Sequence, residues 1–246
     1  MTSVAPVVES VSAPHAPAIR LRALDKWYGE YHALRQIQLD VIAGETIVLW
    51  GASGSGKTTL LRCLAGLEPA QSGTLELAGV AQQVGPLVRP RPSAAVGMVF
   101  QRSALFLNLR VIDNLTIGLR HVRGLPRREA VALAMHNLAR MRLADLAHRY
   151  PRQLSGGQQQ RAEIARALCM DPQIMLFDEP TAALDPELKH EVGDVLAELA
   201  GDRRTIVVAT HEPALVRALD GRMVLMDTGA IVGESTAATF LARQSG

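Results

Sequence analysis

The chain has 246 residues, of which 48% are hydrophobic and 20% charged, and its formal net charge is +2. That length buries a sizeable core, and that composition excludes a disordered or fibrous chain. No run of 18 apolar residues occurs, so nothing is expected to span a bilayer, and any membrane role is peripheral, through a partner.

Residues 1–17 are rich in Ala, Val, Ser and Pro, with Glu9 as the only formal charge. They lack the basic start of a secretory signal and the arginines of a transit peptide. Pro6, Pro14 and Pro17 oppose a helix, so a flexible leader is expected. Ile19-Leu21 and Ile37-Leu39-Val41 then place apolar residues two apart, with Gly29 and Gly44 at turns, as in a small antiparallel sheet. A buried strand, Thr46 to Trp50, should follow.

Gly51-Ala52-Ser53-Gly54-Ser55-Gly56-Lys57-Thr58 comes next, between that strand and a helix expected from Lys57 to about Ala65. It matches the G-x-x-x-x-G-K-[ST] phosphate loop. Its glycines let backbone N–H groups curl around a phosphate, and the helix start adds its positive end. Lys57 is placed for phosphate oxygens and Thr58 for Mg²⁺, and Thr59 is included in the nucleotide-contacting set.

Further strands are expected at Gly73–Leu77 and Val96–Phe100. Residues 102–152 read as a helical insertion, with an amphipathic helix marked by Val131, Leu138 and Met141 and bounded near Pro126 and Pro151. Between Arg89 and Arg152 stand 12 arginines against three acids. Such a block suits nucleic acid, anionic lipid, an acidic partner surface or simply a solvated face. Cys63 and Cys169 are read as buried free thiols.

Leu154-Ser155-Gly156-Gly157-Gln158 opens another helix, with Ser155 as its N-cap and two glycines freeing backbone amides, so a second anion-receptive helix start is expected. Ile174 to Phe177 is an apolar strand ending in Asp178 and Glu179. Strand alternation points adjacent carboxylates to opposite faces, yet at a strand end both can approach a nucleotide. Asp178 suits Mg²⁺ through its water shell, and Glu179 suits polarising a water. A helix from Pro186 to Leu199 and strands at Thr205–Thr210 and Met223–Met226 complete an alternating α/β pattern, which implies a parallel sheet covered on both faces.

The phosphate loop, the Leu-Ser-Gly-Gly-Gln turn and the Asp178-Glu179 strand stand in the order and spacing of an ATP-binding-cassette ATPase, and residues 18 to about 235 resemble that family. The resemblance implies an α/β P-loop NTPase (RecA-like) core with a mainly parallel sheet, an N-terminal antiparallel β subdomain and a helical subdomain at about 102–152, all within one ATP-binding domain, 18–246. It implies further roles residue by residue. Tyr28 would stack on adenine, with Trp27 as a rival; Gln101 would touch Mg²⁺ and water; Asp185 would lie at a subunit interface; His211 would contact the γ-phosphate. Ser155, Gly156, Gly157 and Gln158 would bind ATP held by the phosphate loop of a second copy in a head-to-tail dimer.

Lys26-Trp27-Tyr28-Gly29-Glu30, His148-Arg149-Tyr150-Pro151 and Thr181 to Leu188 resemble the subgroup that powers uptake of polar amino acids. Ala52, Ala182, Glu163 and the Phe106–Arg110 segment depart from it. The implied partners are transmembrane permease subunits and, indirectly, a periplasmic or extracellular solute-binding protein, at the cytoplasmic face of the cell membrane. An exporter or lipoprotein-release ATPase is the alternative within transport. A cassette ATPase acting on nucleic acid or ribosomes is disfavoured, because a single short cassette lacks the second cassette or long coiled coil usual there.

Overall fold

The computed structural model describes residues 16–182, 184–202 and 204–244. The expected leader therefore lies outside the described residues except at its end, where Pro17 already opens the first strand.

Strands β1 (Pro17–Tyr28) and β2 (Tyr31–Ile42) form a long antiparallel hairpin around Gly29 and Glu30. After β3 (Thr46–Trp50) and helix α1 (Lys57–Leu64), strands β4 (Ser72–Leu77) and β5 (Val80–Gln82) join the hairpin in the order β2-β1-β4-β5. This is the expected antiparallel subdomain.

The second sheet is built from β3, β6 (Val96–Val99), β7 (Ile174–Asp178), β8 (Thr205–Thr210), β9 (Arg222–Asp227) and β10 (Ala230–Thr236). Its order is β10-β9-β3-β8-β7-β6, parallel from β9 to β6 with β10 antiparallel at one edge. Every residue of β7 and β8 is buried, as strands covered on both faces require.

Alternation along these strands divides the interior into two cores. Val48, Met175, Phe177, Ile206 and Val208 face one core. Ile47, Leu49, Leu176, Val207 and Ala209 face the other, which is shared with α1 and the antiparallel sheet. A one-residue slip of any of these strands would exchange the two sets.

The first core is closed by the helices: α2 (Val111–His121), α3 (Arg127–Arg140), α4 (Gly156–Cys169), α5 (Pro186–Gly201), α6 (Pro213–Leu219) and α7 (Ala237–Gln244). The stretch 102–152 holds two α-helices and two 3-10 turns rather than one long helix. α3 begins after Pro126, whose fixed φ suits a helix entrance, and stops at Arg140, well before Pro151. Its buried face is Ala130, Ala134 and Leu138, with Met141 just beyond, whereas Val131 is exposed. The expected marker at Val131 is thus corrected: small alanines, not the larger valine, make the close approach to α2 and α4. Cys63 and Cys169 are buried free thiols, and burial pushes both up to about 12. Among the described residues no helix is long and apolar enough to cross a membrane.

Candidate functional site

Four neighbouring parallel strands end on one side of the sheet, and each delivers a different part of one site. β3 runs into the loop starting at Gly51, β8 into His211, β7 into Asp178 and Glu179, and β6 into Phe100 and Gln101. Ligands of open α/β sheets bind outside the carboxyl ends of such strands. Here a cleft of about 260 Å³ is lined by Ser53 to Thr59 together with Tyr31, Ala33, Gln101 and Glu179.

The loop is tightly wrapped at its start. A Cβ on Gly51 would lie 2.3 Å from the Met226 carbonyl oxygen and 2.5 Å from Ser55 Oγ, so only glycine lets the chain leave β3 between them. Lys57, 5% exposed, turns back under the loop and donates to the carbonyl oxygens of Gly51 (2.7 Å) and Ala52 (3.1 Å). Burial lowers its ammonium from the usual lysine value, while Glu179 and Asp178 pull it back up.

Thr58 Oγ1 donates to Asp178 Oδ1 at 2.8 Å, joining the first turn of α1 to the end of β7. Burial raises the Asp178 carboxyl above the usual aspartate value, and the neighbouring Glu179 adds to the shift, against the Thr58 hydrogen bond. Hydroxyl, carboxylate and amide oxygens from Thr58, Asp178 and Gln101 are the hard donors that Mg²⁺ takes together with retained waters, so this trio fits that ion.

Glu179 lines the cleft while Asp178 bonds Thr58 of the phosphate loop, so both carboxylates reach this site. The φ of Glu179 is +45°, outside the strand region, while its N–H still reaches the Ala209 carbonyl oxygen at 2.9 Å. This left-handed residue turns the carboxylate into the cleft, where Oε1 lies 3.4 Å from His211 Nδ1 and 3.9 Å from Lys57 Nζ. A non-glycine residue in that conformation is strained, and such strain collects at functional sites.

Tyr28 and Tyr31 face each other across the hairpin turn. Tyr31, not singled out from the sequence, lines the cleft with Ala33. Tyr28 is 43% exposed; it donates to Glu68, lies under Lys26 Nζ (4.7 Å to the ring centroid) and is pushed up to about 12 by burial and by Glu68. Its rival Trp27 is stacked on His32 at 4.1 Å between centroids and 9° between planes. Two aromatics spaced to pair across a two-residue turn were the available signal for Tyr31.

Ser155 caps α4 in a reciprocal box: its Oγ accepts from Gln158 N–H at 3.3 Å, and its own N–H donates to Gln158 Oε1 at 3.0 Å. None of Ser155, Gly156, Gly157 and Gln158 lines the cleft. Asp185 is the N-cap residue of α5. Sequence reasoning noted Glu163 only as a departure. The structure places it inside α4, fully buried, where it accepts N–H groups from Phe100 and Ala104 on either side of Gln101.

Comparison with known proteins agrees with this architecture. The family model "ABC transporter" matches residues 34–182. The chain is 46% identical to the glutamate/aspartate import ATP-binding protein GltL of Escherichia coli (strain K12), over 90% of this chain and 92% of that one. It is 44% identical to the general L-amino acid transport ATP-binding protein AapP of Rhizobium johnstonii, over 91% and 87%. Among solved structures, the cassette MJ0796, a dimer in a post-hydrolysis state bound to ADP and Pi, superposes with a TM-score of 0.78 at 30% identity, covering 89% of this chain and 98% of that one.

Proposed function

The chain belongs to the ABC transporter family, and from that premise we propose that it is the ATP-binding and ATP-hydrolysing subunit of an importer, coupling hydrolysis to uptake of polar amino acids. The names of the relatives GltL and AapP support amino acids as cargo, and the former supports import over export. The proposed assembly is two copies of this chain, head to tail, on transmembrane permease subunits at the cytoplasmic face of the cell membrane. A solute-binding protein would deliver the cargo from the other side.

The observation that carries the hydrolytic reading is Glu179, strained out of its strand toward Lys57 and His211 at the mouth of the phosphate-loop cleft. In this reading Ser53 to Thr59 cradle the phosphates with backbone N–H groups, and Lys57 releases its loop carbonyls to meet the β- and γ-oxygens. Glu179 takes a proton from the attacking water as general base. His211 and Lys57 stabilise charge growing on the γ-phosphoryl oxygens. Thr58, Gln101 and, through water, Asp178 would hold Mg²⁺, which when bound would supply positive charge to the phosphates. Tyr31, which lines the cleft, or Tyr28, its partner across the hairpin turn, supplies the aromatic face for adenine. Ser155 to Gln158 of the second copy complete the site.

Glu179→Gln tests this assignment. Loss of a general base costs roughly 10²- to 10⁴-fold in rate, so the variant should bind ATP, turn over at that lower rate and accumulate as a dimer on size exclusion with ATP. Hydrolysis at the wild-type rate would remove Glu179 from the role.

A further inference from the structure

The Gln101 turn is pinned to helix α4 by a charged clamp. Glu163 Oε1 accepts the N–H of Phe100 at 3.2 Å and Oε2 that of Ala104 at 3.0 Å, so one carboxylate grips the chain on both sides of Gln101. One turn further on, Arg166 donates to the Ala104 carbonyl oxygen at 2.8 Å and stands 4.0 Å from Glu163 Oε1. The Glu163 side chain is wholly buried, and burial drives its carboxyl above the usual glutamate value against those hydrogen bonds.

A buried carboxylate is costly to place even when hydrogen-bonded, and an apolar residue of similar size would fill the same space without that cost. What an apolar side chain could not do is hold two outward-facing backbone N–H groups of a segment that has left its strand. The grip also has a geometric consequence. Glu163 lies about 10 Å along α4 from the Gly156 end, at 1.5 Å per residue, and an α-helix moves as a rod. Any displacement of the Ser155–Gln158 turn along or about the helix axis therefore reaches Phe100 through Glu163, and Ala104 through Glu163 and Arg166.

We propose that Glu163 is a positioning residue that fixes Gln101 to helix α4, so that Gln101 enters its own chain's cleft in step with the engagement of Ser155–Gln158 by the second copy. This rests on the ATPase reading above, and adds to it a physical link between the two halves of the composite site. Glu163 does not line the cleft; it acts through Gln101.

A double-mutant cycle on the full-length chain separates this role from a merely structural one, with steady-state ATP hydrolysis in Mg²⁺ as the readout. Glu163→Ala should lower kcat about tenfold, the scale of a sub-ångström to ångström misplacement of a reacting group, with KM for ATP changed less than about twofold. In a Gln101→Ala background the same substitution should lower kcat by less than about twofold, because its target is already gone. Glu163→Gln keeps the volume but offers one acceptor where two are needed. It should show a smaller loss, about threefold, with the same dependence on Gln101, and it decides the matter if Glu163→Ala does not fold. Losses that multiply in the double variant, or a loss carried by KM, would overturn the clamp while leaving the ATPase assignment intact. Absence of turnover in the wild type would overturn both.

Discussion

Gly51→Ala perturbs the site at the point where the geometry leaves least room. The added Cβ would sit 2.3 Å from the Met226 carbonyl oxygen, some 0.7 Å inside the 3.0 Å below which Cβ contacts essentially do not occur. The second clash, with Ser55 Oγ at 2.5 Å, can be relieved by rotating a hydroxyl. The first cannot, because Met226 belongs to β9, held between β3 and β10. Either the end of β9 or the start of the phosphate loop must shift by more than half an ångström. Overpacking of this kind costs about 1–3 kcal/mol, and a chain of this size loses about 2–4 °C in Tm per kcal/mol. A drop of about 4–8 °C is therefore expected for a cost of about 2 kcal/mol. If the loop yields, the backbone N–H groups that should cradle the phosphates are misplaced by a comparable amount, and kcat/KM for ATP should fall about 10- to 100-fold. Thermal melts read the first quantity and steady-state ATPase assays the second. A variant with wild-type Tm and wild-type turnover would show that β3, the loop and β9 are not packed as described.

Two further substitutions test the electrostatics. Asp25 is 2% exposed and accepts from Gln36 N–H and Nε2, Ser72 Oγ and His32 Nε2. Burial alone would raise its carboxyl, but these hydrogen bonds outweigh it and hold it below the usual aspartate value. Its contribution is fully present above the unfolded-state value and lost as pH falls through the lower folded one. Asp25→Ala should cost on the order of 3 kcal/mol, with a Tm gap to wild type that is constant from about pH 8 to 5 and narrows below about pH 4; a gap that widens on acidification would contradict the network. Asp178 is the opposite case: its carboxyl is raised by burial and by Glu179, so its charged form opposes folding, and stability declines as pH rises from the unfolded value through the folded one. Asp178→Asn, whose amide oxygen still accepts from Thr58, should raise the Tm of nucleotide-free protein at pH 7 while removing Mg²⁺-dependent hydrolysis. A lowered Tm with hydrolysis intact would reverse the assignment.

What the sequence disclosed follows from the range of the forces involved. The phosphate loop, the capped turn at Ser155 and the strands Thr46–Trp50 and Thr205–Thr210 are local patterns, each set by a glycine spacing, a cap or a short apolar run, and the structure has them where expected. The direction of Glu179 was not legible, because it depends on one left-handed residue that local pattern gives no reason to expect in a glutamate. The helix α3 face was misread at Val131 because close helix packing selects small residues, and alanines carry little weight in a hydrophobic pattern. Nor did spacing reveal that β3, β8, β7 and β6 lie side by side. That order is a tertiary fact, and it is what brings residues 53–59, 101 and 179 to one cleft, with Asp178 bonded to Thr58 and His211 beside Glu179.

The Ser155–Gln158 turn shows why one chain holds only part of the proposed site. Gly156 and Gly157 have no positive φ; a Cβ on Gly156 would meet only the flexible end of Leu184 at 3.1 Å, whereas one on Gly157 would press on Leu188 Cβ at 3.3 Å. The capping box satisfies the N–H groups of Ser155 and Gln158 within the turn itself. Close packing on α5 accounts for the buried Gly157, but the fold of a single chain supplies no strong reason for the exposed Gly156, which weakens the helix by about 0.5–1 kcal/mol relative to alanine. A phosphate approaching from outside does supply one, since the exposed N–H groups of a helix start bind anions best when no Cβ stands between. The cleft of the same chain does not reach this turn. In the head-to-tail dimer proposed above, that phosphate would come with a second copy of the chain.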